Sequence, residues 1–274
     1  MRKTIIAFFA ILLSAQMAVA SDYMALLDRI DVALKSRDWT LSERLLKEAL
    51  ETEPANPNNY LLLSNLGTVC RNQGKLDDAL ENYDMALTVA PKSTTILHNR
   101  AALLMEMDST KRALADYQKL LDINPSDSEA RASVGLIALE VGDMALAEES
   151  FQKCLDANSS DMDARRGMAL LRRLNGDYDK AIALYDGIIN DENRVSNYLN
   201  RAECYMAVSR FQEAQQDLME AQKLDPQSSD LFLLKARLAQ LQFRFDDACD
   251  YAKEALRLGC DKELAAPYMV KKEK

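Results

Sequence analysis

Hydrophobic and polar positions recur along this chain with a period of 34 residues. Pro91 and Pro125 are separated by that distance, and each follows a tyrosine, Tyr83 or Tyr117, by eight residues. Apolar stretches with helical spacing precede each proline, and turn residues such as those at 72–74 divide the stretches into pairs. Self-similarity at such a period is typical of a solenoid. The pattern therefore predicts repeated units of helix, tight turn and helix.

The same register can be laid along nearly the whole chain. Positions are counted from the first residue of each unit. Small residues recur at position 8 in six of seven units and at position 20 in all seven, and they let two helix backbones approach closely. A bulky residue at position 24 fills the remaining gap in six of the seven units. The residues at position 20 are Ser42, Ala79, Ala113, Ala147, Ala181, Ala214 and Ala248. The units start near residues 23, 60, 94, 128, 162, 195 and 229.

These positions resemble the signature of the tetratricopeptide repeat (TPR) family, which has small residues at 8 and 20, an aromatic residue near 24, alanine near 27 and proline at 32. The second unit matches best, through Gly67, Ala79, Tyr83, Ala86 and Pro91. The fourth and fifth units depart from the signature, because Ser159 and Asn193 stand at the proline position. The resemblance covers residues 21–260 and leaves a C-terminal tail at 261–274. It implies an all-α, right-handed superhelical solenoid of about seven antiparallel helix pairs.

The first twenty residues have a different character from the repeats. Arg2 and Lys3 precede an apolar run at 5–13, and an Ala-x-Ala motif at 18–20 follows. This is the pattern of a secretory signal peptide, with cleavage expected after Ala20. A retained membrane anchor is the alternative, but the apolar run is shorter than the ~20 residues that a spanning helix needs. We therefore expect a periplasmic or secreted protein that is not inserted in the membrane after cleavage.

Charge and cysteine content narrow the possible partners and cross-links. Loss of Arg2 and Lys3 with the signal peptide takes the formal net charge from −9 to −11. An acidic protein repels nucleic acid, which we exclude as a partner. Five cysteines are an odd number, so at least one thiol stays unpaired within a monomer. Their spacing follows no disulfide framework, and a disulfide between some pair stays open.

The sequence contains few residues for catalysis or metal binding. His98 is the single histidine, which argues against His-rich metal sites and most histidine-dependent catalysis. We find no phosphate-binding glycine loop, no His-Glu-x-x-His and no Cys-x-x-Cys motif. Acidic pairs such as Asp161 and Asp163 fall at turns between helices, where capping explains them. The sequence therefore predicts a protein that is not an enzyme and holds no cofactor or metal.

The resemblance implies that partners bind on a concave face formed by the first helix of each unit. The residues expected on this face are polar in the second and third units and mostly apolar from the fourth unit onward. The polar candidates are Asn65, Arg71, His98, Asn99, Arg166, Arg173 and Asn200, and the apolar ones include Leu136, Leu170, Leu199 and Leu233. Asparagine recurs at position 6, as Asn65, Asn99 and Asn200. Its amide can pair with an extended peptide backbone, or it can bond to neighbouring helix groups instead.

Two arginines at position 7 are followed sixteen residues later by aspartates at position 23. Those positions face each other in an antiparallel helix pair. We therefore predict the ion pairs Arg100–Asp116 and Arg201–Asp217 as structural features, not binding sites.

Together these observations predict an exported, non-catalytic adaptor or scaffold that binds a protein or peptide partner. The first helix of the seventh unit, at 229–241, is more apolar than a terminal repeat usually is. Either the tail at 263–269 folds over it or another chain does. The alternatives are therefore a self-assembling spacer that forms homo-oligomers through the last unit, and an accessory subunit of a separate envelope enzyme.

Overall fold

The computed structural model describes residues 22–269, and this part of the chain contains helices and no strand. The predicted signal peptide and its cleavage site lie outside the described residues. The helices are α1 (22–35), α2 (Trp39–Thr52), α3 (Asn59–Asn72), α4 (Leu76–Val89), α5 (Thr94–Glu106), α6 (Thr110–Ile123), α7 (Ser128–Glu140), α8 (Met144–Ala157), α9 (Met162–Leu174), α10 (Tyr178–Asp191), α11 (Val195–Ala207), α12 (Phe211–Leu224), α13 (Ser229–Leu241), α14 (Phe245–Arg257) and α15 (Lys262–Ala265), followed by a 3-10 helix (Ala266–Tyr268). The predicted all-α architecture is confirmed.

The described part of the chain divides into two compact units, and the boundary between them lies at residues 130–131, inside α7. In the described part of the first unit, α3 packs against α4 and α5 against α6. In the second unit, α9 packs against α10, α11 against α12 and α13 against α14. Each pair also contacts a helix of the next pair within its unit, as α4 does α5 and α10 does α11. Both units are therefore stacks of helix pairs.

Small residues at position 20 lie at the centre of these pairs. All seven are 0–1% exposed. Glycine at position 8 lies equally close to the bulky residue at position 24. A Cβ atom on Gly67 would stand 2.8 Å from Cδ1 of Tyr83, and one on Gly135 would stand 2.6 Å from Cε1 of Phe151. Phe151 also packs on Gly167 of the following unit. The aromatic rings therefore occupy the space that the glycines leave.

The turn between the two helices of every unit places position 15 in the left-handed region. The residues there are Arg37, Gly74, Asp108, Gly142, Gly176, Ser209 and Phe243, with φ between 53° and 80°. The next N–H bonds back to a carbonyl five residues earlier, as from Lys75 N to Cys70 O at 2.9 Å. This arrangement ends the first helix and reverses the chain direction. Four of the seven residues are not glycine, so those turns carry backbone strain.

Both ion pairs expected between positions 7 and 23 are present. Arg100 Nη2 lies 2.7 Å from Asp116 Oδ1, and Arg201 Nη2 lies 2.6 Å from Asp217 Oδ1. Each arginine also bonds to an aspartate of the preceding repeat, Arg100 to Asp84 at 2.6 Å. The equivalent bond joins Arg201 to Asp186 at 2.7 Å. Because one guanidinium joins carboxylates of two successive repeats, each bridge contributes to the stacking of the pairs.

The C-terminal tail folds over the last helix pair. Ala265 of α15 is fully buried in a cluster with Ala236 and Ala252. Gln240 Nε2 donates a hydrogen bond of 3.2 Å to the carbonyl of Pro267 in the 3-10 helix. Of the two coverings considered for the apolar seventh unit, the structure shows that the tail supplies at least part. Phe243, at 78% exposure, stays outside this cover.

Candidate functional site

The three asparagines at position 6 have unbonded side chains. Among the described residues, the amides of Asn65, Asn99 and Asn200 form no hydrogen bond. Asparagines at other positions behave differently, since Asn59 Nδ2 donates to Glu53 O at 2.8 Å and Asn197 Nδ2 donates to Glu192 O at 3.0 Å. No hydrogen bond from the position-6 amides to neighbouring helix groups is present in the described part of the chain. Each keeps a free donor and acceptor.

Two adjoining cavities lie on the first helices of the second unit, and we call them together the groove. The larger, of about 290 Å³, lies between α11 and α13 and is lined by Leu199, Asn200 and Leu233 among others. The smaller, of about 150 Å³, is lined by Leu136, Arg166, Leu170 and Asn200. Ser196 and Asn200 belong to both cavities. The structure thus brings six of the candidate residues of this unit to one continuous surface.

Asn200 lies at the junction of the two cavities. Its uncommitted amide is flanked by Leu199 and by the hydroxyl of Ser196. Tyr185 forms part of the wall of the smaller cavity, and burial raises the pKa of its hydroxyl to about 12, so the ring is neutral. Apolar walls around a few polar groups are typical of sites that bind side chains and orient a backbone.

The candidate arginines are already paired with carboxylates. Arg173 Nη1 lies 2.5 Å from Glu203 Oε2, and Arg237 contacts the other oxygen of that carboxylate at 3.2 Å. Arg166 bonds to both Asp163 and Glu192. These arginines are therefore not free to hold the terminal carboxylate of a ligand.

Arg71 and His98 belong to the first unit and also contact acidic groups. Arg71 binds Glu106 with two hydrogen bonds of 2.6 and 2.9 Å, and this contact lowers the pKa of the Glu106 carboxyl. His98 Nε2 lies 3.4 Å from Asp127 Oδ1, and its ring packs edge-on against Tyr117. Asp127 in turn accepts a hydrogen bond from Ala130 N at 2.9 Å. The side chain of His98 on α5 therefore packs against α6 and the turn that follows it.

Sequence reasoning did not single out three polar residues of the groove. Ser196, Glu203 and Asp230 all line the larger cavity. Ser196 and Asp230 lie at position 2 and Glu203 at position 9 of their units, on the first helices that the resemblance assigns to the concave face. The repeat register is therefore the signal that could have identified them.

The described residues offer no metal site and no disulfide. Within 22–269 no group of three His, Cys, Asp or Glu side chains is placed to hold a metal ion. All five cysteines are free thiols, four of them buried. Burial raises the pKa of Cys204 to about 11, which keeps that thiol protonated at neutral pH. None of the helices in this range has the length and apolar character needed to cross a bilayer.

Comparison with protein-family models matches tetratricopeptide repeats over more than half of the chain, at residues 60–93, at 98–161 and 135–194, and at 195–228. Comparison with curated protein sequences finds no match.

Among solved structures, the chain is similar to a tetratricopeptide repeat protein from Parabacteroides merdae, with 33% identity, a TM-score of 0.79, and coverage of 91% of this chain and 98% of that one. PilW, a type IV pilus biogenesis factor, shares the fold at 19% identity and a TM-score of 0.65, covering 76% of this chain and 96% of its own. The Cut9–Hcn1 structure of the APC/C does so at 14% identity and 0.67, over 89% and 54%. The family matches and the Parabacteroides relative, which is similar over nearly its full length, show that the chain belongs to the tetratricopeptide repeat family.

Proposed function

We propose that this chain is a non-catalytic scaffold of the cell envelope that binds an extended segment of a partner protein in the groove. Tetratricopeptide repeats generally mediate protein–protein interaction. The observation that supports the proposal is the uncommitted amide of Asn200 between two cavities with leucine walls. An extended backbone offers the donors and acceptors that this amide lacks, and the leucines accept side chains on either side.

The first unit supports a second contact surface of polar character. Asn65 on α3 and Asn99 on α5 carry free amides, and Asn65 is exposed. We include them in the proposal as contacts to a partner backbone. They serve as a polar counterpart to the leucine-lined groove.

Export is part of the same proposal. The basic start, the apolar run at 5–13 and the Ala-x-Ala motif at 18–20 support a cleaved signal peptide and a periplasmic or secreted protein. Intact-mass measurement of the protein purified from its native host tests this. A mature chain beginning at Ser21 is expected, and a full-length chain in the cytosolic fraction contradicts it.

Partner capture with matched variants tests the binding role. Asn200→Ala should reduce recovery of a partner by affinity purification from the native envelope, because it removes the amide at the centre of the groove. Asn193→Ala is the control, since Asn193 is exposed in a loop and does not line either cavity. Circular dichroism should show equal helix content in both. Equal recovery with both variants would contradict binding through Asn200.

Self-association through the last unit is a second candidate. Phe243 is 78% exposed and Leu241 is 41% exposed at the end of α13, and neither is covered by the described part of the tail. Light scattering coupled to size-exclusion chromatography should then detect a dimer that Phe243→Ser weakens. A monomer at all concentrations removes this candidate.

A further inference from the structure

Three acidic side chains and one basic side chain line the groove. Asp163, Glu203 and Asp230 line the two cavities, while Arg166 is the one basic side chain among the lining residues. Arg166 contacts both Asp163 and Glu192. Two further guanidinium groups, those of Arg173 and Arg237, contact Glu203, so the charge that the groove offers depends on which of its carboxylates has no cation of its own.

Asp230 differs from the other two carboxylates in having no cation of its own. Glu203 lies between the guanidinium groups of Arg173 and Arg237, and Asp163 contacts Arg166. No lysine, arginine or histidine within the described residues forms an ion pair with Asp230, which is exposed in the first turn of α13. Asp230 lines the larger cavity together with Leu233 and Leu234. A ligand cation placed there meets an unshared negative charge.

An acidic group of a ligand would be disfavoured at the same place. A terminal carboxylate beside Asp230 would stand next to an unpaired like charge, and the guanidinium groups of Arg173 and Arg237 already contact Glu203. Juxtaposed like charges disfavour binding, whereas opposite charges steer and orient a partner.

We infer that the segment bound in the groove carries a lysine or arginine next to an apolar residue, with the cation on Asp230 and the apolar side chain against Leu199 and Leu233. This inference rests on the proposed function and names the chemistry of the partner. The inferred ligand differs from one that is held by its carboxyl terminus, because Arg166 and Arg173, the arginines that could hold such a group, already contact carboxylates of the chain.

Selection from a library of displayed random linear peptides against the whole mature protein tests the inference. The enriched peptides should contain lysine or arginine adjacent to leucine, isoleucine, valine or phenylalanine. A synthetic peptide of the enriched sequence should bind Asp230→Asn about fivefold more weakly than the unaltered protein, which corresponds to the loss of one partly exposed ion pair. Exchange of the peptide's lysine for glutamate should weaken binding by about tenfold or more.

Asp246→Asn is the matched control. Asp246 is also an exposed aspartate in the first turn of a helix, α14, so its loss has the same effect on the helix terminus without touching the groove. Its affinity for the selected peptide should equal that of the unaltered protein. Equal weakening by both substitutions would assign the effect to helix stability and overturn the inference.

The remaining outcomes separate the inference from the function on which it rests. Enrichment of acidic peptides, or of peptides that need a free terminal carboxylate, would overturn the inference. The groove would still be the binding site if Asn200→Ala and Leu199→Glu weaken the binding of those peptides. If the enriched peptides bind both variants with unchanged affinity, the groove is not the binding site and the proposed function is overturned. A selection that enriches no peptide has the same consequence. A dimer that disappears with Leu199→Glu would make a second copy the occupant and also overturn the inference.

Discussion

The two compact units use the same repeat but present different surfaces. In the first, the inward positions of α3 and α5 carry polar side chains such as Asn65 and Asn99. In the second, leucines surround Asn200 along two cavities. The packing positions do not change in this way, because Arg100–Asp116 in one unit and Arg201–Asp217 in the other have nearly the same geometry. Stability is thus expected to depend on shared positions, and recognition on the positions that differ.

Removal of the buried carboxylate should have the largest effect and the same size in both units. Asp116→Ala and Asp217→Ala each remove the buried carboxylate that contacts an arginine whose side chain is only 16% exposed. We expect a loss of about 3 kcal/mol in the free energy of unfolding for each, the lower end of the cost of breaking a buried ion pair, because Asp84 or Asp186 still contacts the arginine. Urea unfolding followed by circular dichroism measures it. A cost in one unit and none in the other would break the equivalence of the packing positions.

The aromatic–glycine contacts should show the next largest effect. Gly167→Ala would place a Cβ atom 2.2 Å from Cε1 of Phe151, and Gly67→Ala one 2.8 Å from Cδ1 of Tyr83. Overpacking of this kind costs about 1–3 kcal/mol, with the larger loss expected at Gly167. Gly187→Ala is the control, because only the flexible end of Arg165 is near. It should be neutral or stabilising by about 0.5–1 kcal/mol through helix propensity, and urea unfolding compares all three.

Position 15 should respond with opposite signs according to the residue present. Asp108→Gly in the first unit and Phe243→Gly in the second relieve a positive φ and should each stabilise by up to about 1 kcal/mol. Gly142→Ala should destabilise by about 1 kcal/mol, although no atom lies within 4 Å of the added Cβ. Thermal unfolding detects both directions. Stabilisation by Gly142→Ala would refute the assignment of strain to this turn position.

A smaller effect of pH on stability is expected from Glu43 in the first unit. Hydrogen bonds from Lys47 and Lys75 lower the pKa of Glu43 from 4.5 to about 2, which joins α2 to the start of α4. Because the folded pKa is lowered, the stabilisation is present above pH 4.5 and is lost as the pH falls toward 2. We expect at most about 1 kcal/mol for this partly solvated cluster.

Glu43→Gln provides the comparison for that pH effect. The substitution should lower stability at pH 7 and have little effect near pH 2, when measured by urea unfolding at both values. A variant that loses the same stability at both pH values would show that Glu43 contributes through packing and not through its charge.

Much of the fold could be predicted from the sequence because the repeat is defined by the sizes of the side chains at a few positions. Small residues at positions 8 and 20 and a bulky residue at 24 specify a helix pair wherever they recur, and the 7-to-23 spacing predicts the arginine–aspartate contacts. The left-handed turns were only partly visible. Glycine marks position 15 at Gly74, Gly142 and Gly176, but Arg37 and Phe243 adopt the same conformation. There the packing of the two helices overrides the preference of the residue.

The charge distribution in the groove could not be predicted from the sequence. The register placed Asn200 and the leucines on the inner face, yet it could not show which charges remain available there. Arg173, Glu203 and Arg237 come from three different helices, and their mutual contacts depend on the distance between neighbouring repeats. Only when these contacts are known does Asp230 stand out as the carboxylate that has no cation of its own among those that line the groove.

By itself the sequence determined the helix pairs, their number and register, and which positions pack, because those properties follow from side-chain size and local periodicity. The tertiary structure decided that the tail covers part of the last pair, that the candidate arginines contact carboxylates of the chain, and that the Asn200 amide has no hydrogen-bond partner among the described residues. These depend on contacts between residues distant in sequence, where charges and hydrogen bonds are assigned by geometry and not by spacing along the chain.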